Sequence, residues 1–153
     1  VEAAKYAPVG KRGVSGALPQ TGYRAIPDLY EMVNAATTVM VMFESQAALG
    51  AADEIAAIDG LDMGMIGTND LLAELGLAAG EFAHPAIKDA YARTIDACAK
   101  YGKHVGVGGL ASRPDLVAEF VKMGARYVST GTDLTFLAAA AREKAAEVAK
   151  LEG

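Results

Sequence analysis

Two apolar runs, each leading to a carboxylate, constrain this chain more than anything else in it. The first is Val39-Met40-Val41-Met42-Phe43, closed by Glu44; the second is Met65-Ile66, continued through Gly67-Thr68-Asn69 to Asp70. Runs of Val, Met, Ile and Phe without polar alternation are the pattern of parallel strands covered on both faces. About one βα repeat separates Glu44 from Asp70, so neighbouring parallel strands would deliver both acids to the same C-terminal rim of a sheet. Two carboxylates side by side repel unless a cation joins them. A hard divalent ion does so, since Mg²⁺ takes one or two protein carboxylates and leaves its other positions to water and substrate. The pair therefore predicts a site for an anionic, oxygen-rich ligand. The competing reading is that each acid merely caps the helix that follows, where the helix dipole favours it.

Punctuation along the chain extends the strand-then-helix pattern. Val1 to Tyr23 carries Pro8, Gly10, Gly13, Gly16, Pro19 and Gly22 in quick succession and reads as an ordered loop. Pro27 and Asp28 suggest the first turn of a helix over 26–36, followed by a strand over 38–43. A helix over 47–58 should stop at Asp59-Gly60. Met63 to Ile66 is the second strand, then a short helix to Leu75. The spacing of Ile87, Tyr91, Ile95 and Cys98 predicts a long helix from Pro85 to Tyr101, ended by Gly102. A third strand over 104–107 leads through Gly108-Gly109 into a helix over 114–123, closed by Gly124. A fourth strand over 127–130 precedes a terminal helix to Leu151, capped by Thr132 or Asp133. Residues 1–36 thus form a lead-in and 37–153 four βα units, all in one domain.

Sequential units of this kind wind a parallel sheet with right-handed crossovers. A complete (β/α)₈ barrel needs about 250 residues, and this chain has 153, so the α/β fold expected is an open sheet or half of a TIM barrel. Such a half leaves bare edges and apolar faces, which calls for a second copy or a complementary half.

The remaining composition excludes more than it specifies. A net charge of −5 without clustered Lys and Arg argues against a nucleic-acid groove. Although 52% of residues are hydrophobic, no apolar run approaches the roughly 18 residues of a membrane span. The single cysteine, Cys98, rules out an internal disulfide and, without a secretory signal pattern at the start, suits a reducing cytoplasm. His84 reads as a loop residue before the long helix, and His104 falls at the N-terminal end of its strand, the rim away from catalysis in such folds.

Beyond these patterns, the stretch Phe43-Glu44-Ser45-Gln46-Ala47-Ala48, the segment from Asp53 to Asp62, and Ile66-Gly67-Thr68-Asn69-Asp70-Leu71 resemble the HpcH/HpaI aldolase family. Tyr6-Ala7-Pro8-Val9-Gly10-Lys11-Arg12-Gly13 is similar to that family's Pro-Pro-x-Gly-x-Arg-Gly loop, and Gly131-Thr132-Asp133 resembles the turn after its last barrel strand. The resemblance implies a metal-dependent pyruvate aldolase of which this chain supplies barrel strands five to eight. It further implies Glu44 and Asp70 as metal carboxylates, and Gly67, Thr68 and Asn69 as the turn whose backbone approaches the bound substrate. Arg12 is a candidate for an anionic tail of the aldehyde partner. The general base and the arginine that grips the substrate carboxylate belong to the family's first half and match no residue here. Met42 departs from the Gln that many members carry two residues before the metal glutamate.

The chemistry implied is cleavage of a 4-hydroxy-2-oxo acid into pyruvate and an aldehyde, and the reverse addition. Mg²⁺, Mn²⁺ or Co²⁺ would act as a Lewis acid that steadies the enolate. An oligomer is expected from the resemblance. Gly67-Thr68-Asn69-Asp70-Leu71 also looks like a phosphoenolpyruvate-using phosphotransferase signature. Those enzymes, however, carry a proton-donating Cys where this chain reads Gly106-Val107-Gly108-Gly109-Leu110. A non-catalytic half-barrel is the other alternative.

Overall fold

The computed structural model describes residues 1–14, 16 and 18–152. Four parallel strands, β1 (Met40–Phe43), β2 (Met63–Ile66), β3 (His104–Val107) and β4 (Tyr127–Val128), form one sheet in sequence order. Register is fixed by the pairs Phe43 with Ile66, Ile66 with Val107, and Val107 with Val128. That order is the signature of sequential right-handed βα winding.

Helices cover one face of the sheet. Between β1 and β2 lie α2 (Gln46–Gly50) and α3 (Ala52–Ala56); between β2 and β3 lie α4 (Thr68–Glu74) and α5 (Pro85–Lys100); α6 (Pro114–Met123) precedes β4. Phe43, Ile66, Val105 and Val107 point into this layer against Leu71, Ile87, Tyr91 and Phe120, and each is essentially removed from solvent. Burying a side chain of this kind contributes roughly 1.5–3 kcal/mol. Gly64 is required for the fit, because a Cβ there would stand 2.7 Å from Phe43 Cε2 and 3.5 Å from Cys98 Sγ.

The opposite face differs from the expectation of strands covered on both sides. Met40, Met42, Met63, Met65, Gly106 and Tyr127 alternate with the buried set, and Met42 and Tyr127 are 51% and 44% exposed. An unbroken apolar run cannot distinguish two covered faces from one covered face and one stripe of methionine, because methionine reads as apolar either way.

A smaller apolar cluster of Tyr6, Leu18, Leu29 and Val33 ties the N-terminal segment to α1 (Leu29–Ala36). Asn34 clasps the backbone of Tyr6, accepting from its N–H at 2.7 Å and donating to its carbonyl at 2.9 Å. Lys5 donates to the Asn34 and Thr37 carbonyls at the end of the same helix. The expected ordered loop therefore has a physical cause in this cluster, and it contains a short 3₁₀ turn at Pro19–Thr21. Its portion at Ser15 and Ala17 lies outside the described residues, as does Gly153 of the expected domain.

Several boundaries shift for identifiable reasons. Helix α1 starts at Leu29 rather than residue 26 because Asp28 adopts a left-handed conformation (φ 54°), which aspartate tolerates better than most residues. The single helix expected over 47–58 is two, parted at Ala51 (φ −96°, ψ 18°) directly after Gly50, a poor helix former. Strands β1 and β4 are shorter than read, although the Val39 carbonyl still accepts from the N–H groups of Asp62 and Met63.

The terminal helix α7 (Asp133–Ala149) opens with a Thr132–Thr135 capping box and buries no residue. Leu134, Phe136 and Leu137 are each more than half exposed. Among the described residues, no helix is long and apolar enough to cross a membrane.

Candidate functional site

Parallel pairing brings the ends of β1 and β2 to one rim. Glu44 follows β1 directly, and Gly67 follows β2 with its N–H donating to the Phe43 carbonyl at 3.1 Å. The Glu44 side chain lies against Gly67: a Cβ on that glycine would stand 2.8 Å from both Cβ and Oε2 of Glu44. From Gly67 the chain enters α4, placing Asp70 in the first turn. A small cleft of about 90 Å³ opens here, lined by Met42, residues 66–70, Gly108 and Gly109. Residues from β1, the β2–α4 turn and the β3–α6 turn therefore meet at a single place.

Neither acid serves as a helix cap. Ser45 caps α2, its Oγ accepting from the Ala48 N–H at 3.2 Å, and Gly67 occupies the cap position of α4 with no side-chain bond. Among the described residues, the Glu44 and Asp70 carboxylates make no hydrogen bond or ion pair, although six ion pairs form elsewhere. Both side chains are exposed. Two uncommitted carboxylates at one rim suit a hard divalent ion that keeps several waters. Among the described residues, no group of three or more His, Cys, Asp and Glu converges.

The remaining sequence candidates divide. Gly67 and Asn69 line the cleft, with Asn69 Nδ2 3.3 Å from where a Cβ of Gly109 would lie. Thr68 lines it too, but its side chain is only 2% exposed and turns inward, its hydroxyl lying 3.3 Å from the Tyr91 hydroxyl and donating to the Gly108 carbonyl at 3.4 Å. Arg12 does not line the cleft; its guanidinium sits over the Tyr6 ring, 4.7 Å from the centroid. His84 caps α5, Nδ1 accepting from the Ala86 N–H, and His104 is exposed at the start of β3.

Gly108 and Gly109, whose turn the sequence also allows as an anion-binding loop of the kind found after late barrel strands, form one wall of the cleft. Sequence reasoning missed one contributor. Tyr91 read as one residue of an apolar stripe, and nothing in helical spacing reports where a buried hydroxyl points. Burial holds the Tyr91 phenol above its ordinary 10.0, opposed by its hydrogen-bond contacts with Thr68 and the Gly108 backbone.

The HpcH/HpaI aldolase/citrate lyase profile matches residues 1–140. The chain belongs to the HpcH/HpaI aldolase/citrate lyase family. It is 36% identical over 148 residues to a hydroxypyruvate/pyruvate aldolase of Sagittula stellata, covering 96% of this chain and 57% of that protein. The corresponding Deinococcus radiodurans aldolase is 39% identical over 150 residues, with 95% and 52% covered. A 4-hydroxy-2-oxo-heptane-1,7-dioate aldolase of Escherichia coli is 34% identical over 147 residues, with 95% and 55% covered. Among solved structures, an HpcH/HpaI aldolase from Desulfitobacterium hafniense superposes with a TM-score of 0.77 at 25% identity, covering 97% of this chain and 57% of its own. A family protein from Burkholderia cenocepacia gives 0.75 at 29%, with 96% and 58% covered. This HpcH/HpaI chain thus spans a little over half the length of the curated relatives it matches.

Proposed function

We propose that this chain carries the metal-binding half of a divalent-metal-dependent pyruvate aldolase, which cleaves a 4-hydroxy-2-oxo acid to pyruvate and an aldehyde. The observation that carries the reading is the pair of uncommitted carboxylates, Glu44 and Asp70, on one rim where neither acts as a cap. The names of the curated relatives support the substrate class.

The roles follow from position. Glu44 and Asp70, whose carboxylates have no hydrogen-bond or ion-pair partner among the described residues, would hold the ion. Such an ion supplies Lewis acidity toward the carbonyl and carboxylate oxygens of a 2-oxo acid. Gly67 keeps the cleft narrow and lets the Glu44 side chain lie flat against the backbone, while Asn69 and Gly109 form the opposite lip. Met42 offers an apolar surface beside them. A general base and a cation for the substrate carboxylate must come from outside these residues. The bare methionine face and the share of the relatives that this chain spans support a half-barrel, which we assign to strands five to eight, completed by a complementary half or by association with another chain.

Titration with Mn²⁺, followed by electron paramagnetic resonance, tests the site without requiring turnover. The chain should bind one ion, and Glu44→Gln and Asp70→Asn should each lose most of the affinity. Pyruvate release from 4-hydroxy-2-oxo acids by the complete enzyme should stop in excess chelator and return with Mg²⁺, Mn²⁺ or Co²⁺. Full turnover under chelation, or Mn²⁺ binding indifferent to both substitutions, would overturn the proposal.

A further inference from the structure

Behind the cleft, and outside the acids already described, a buried polar contact joins three elements. Tyr91 on α5 is wholly buried and stacks on Phe120 of α6, ring centroids 3.8 Å apart and 13° from parallel. That stack, together with Ile87 and Cys98 on the same helix, fixes the ring within the principal core. Its hydroxyl meets Thr68 Oγ1 at 3.3 Å, and Thr68 Oγ1 donates to the Gly108 carbonyl at 3.4 Å. These are long for hydroxyl hydrogen bonds, which cluster near 2.7–2.8 Å, so each is individually modest. Their placement is what gives them weight. Thr68 opens α4 two residues before Asp70, and Gly108 precedes Gly109 on the far wall of the cleft.

The geometry points to Tyr91 as a positioning residue: through Thr68 it brackets the β2–α4 and β3–α6 turns and holds the Asp70 wall and the Gly108–Gly109 wall at a fixed separation. Both turns are otherwise tied to the sheet by backbone bonds at their strand ends, such as Gly67 to Phe43 and Ser129 to Val107. No other side-chain hydrogen bond joins these two turns among the described residues. A buried hydroxyl also stays in place because exposing it to apolar surroundings unpaired costs free energy. The consequence for metal affinity rests on the proposed function; the bracket itself does not.

Two readouts separate those claims. Amide hydrogen exchange, measured without metal over residues 67–71 and 107–110, reads the bracket alone. Tyr91→Phe keeps the ring and its stack, and should speed exchange in both segments by about fivefold, the equivalent of one modest hydrogen bond, while Tyr101→Phe leaves both unchanged. Mn²⁺ affinity should fall about tenfold, as when a group orienting a ligand is lost. Thr68→Ser should retain affinity and slow exchange, whereas Thr68→Val should behave like Tyr91→Phe; packing by the threonine methyl alone would give the reverse order. Faster exchange in only one segment, or in neither, overturns the bracket. Wild-type affinity in Tyr91→Phe overturns its role in the metal site. A wild-type chain that binds no Mn²⁺ removes the proposed function, and the exchange result still decides the bracket.

Discussion

Replacing Gly67 with alanine tests whether the close approach of Glu44 to the β2–α4 turn matters for binding. The added Cβ would stand 2.8 Å from Glu44 Cβ and 2.8 Å from Oε2, with Met42 Cε at 3.2 Å. Carbon atoms rest about 3.5–4.0 Å apart. The methionine methyl and the carboxylate can swing aside, but Glu44 Cβ is fixed to the backbone, so the strand end must retreat by roughly 1 Å. Mg²⁺ demands ligand distances near 2.0–2.1 Å, so a carboxylate displaced that far would be lost to the proposed ion. Affinity for Mn²⁺ should fall by about 10- to 100-fold. Stability should change little by comparison, because Gly67 has φ −79° and ψ 78°, open to alanine. The gain of about 0.4–1 kcal/mol from a less flexible unfolded chain partly offsets an overpacking cost of about 1–3 kcal/mol. With roughly 2–4 °C per kcal/mol for a chain of this size, Tm should drop by only a few degrees. Unaltered Mn²⁺ affinity in a folded Gly67→Ala chain would refute the reasoning.

Other expectations concern the body of the fold. Gly64→Ala forces a Cβ to within 2.7 Å of the wholly buried Phe43 ring, which cannot swing clear; urea unfolding should show a loss of about 1–3 kcal/mol. Cys98, 1% exposed, has its thiol pushed above its ordinary 9.0 by burial. The folded chain therefore keeps the proton longer than the unfolded one, and stability from this group is full below about pH 9 and lost as pH rises beyond it; Cys98→Ala should reduce the loss of stability seen in unfolding as the pH is raised above about 9. Removing residues 132–153 takes away a helix that buries nothing, so the urea-unfolding free energy of the four-stranded body should stay within about 0.5 kcal/mol.

The parts of the fold that sequence made legible were those set by local chemistry. Met63–Ile66, His104–Val107 and Pro114–Met123 appear with the bounds their patterns predicted, because apolar runs, an initial proline and a terminal glycine act over a few residues. Boundaries set by longer-range contacts were less visible. Asp28 turns left-handed where the N-terminal cluster joins α1, and Gly50-Ala51 breaks a propensity-rich stretch where α3 packs on α5. At the site, the shared rim of the two carboxylates was legible because their spacing puts them beyond the ends of adjacent strands, Glu44 directly after β1 and Asp70 in the first turn of the helix after β2. The inward turn of Thr68, the reach of Tyr91 and the retention of Arg12 on Tyr6 depend on which neighbour a side chain meets in three dimensions, and no spacing encodes that.

The methionine face carries a chemical liability. Met40 lies beside Met63 and Met42 beside Met65 in register, so four thioethers, Met42 exposed and the others half-buried, share the sheet face away from the helices. Peroxide converts a thioether to a polar sulfoxide. Oxidation would thus turn the sheet's apolar floor into a hydrated one without touching the helix-covered core, and a chain seated on that floor would lose its grip. Any association through this side of the sheet is accordingly sensitive to oxidants and reversible by methionine sulfoxide reduction.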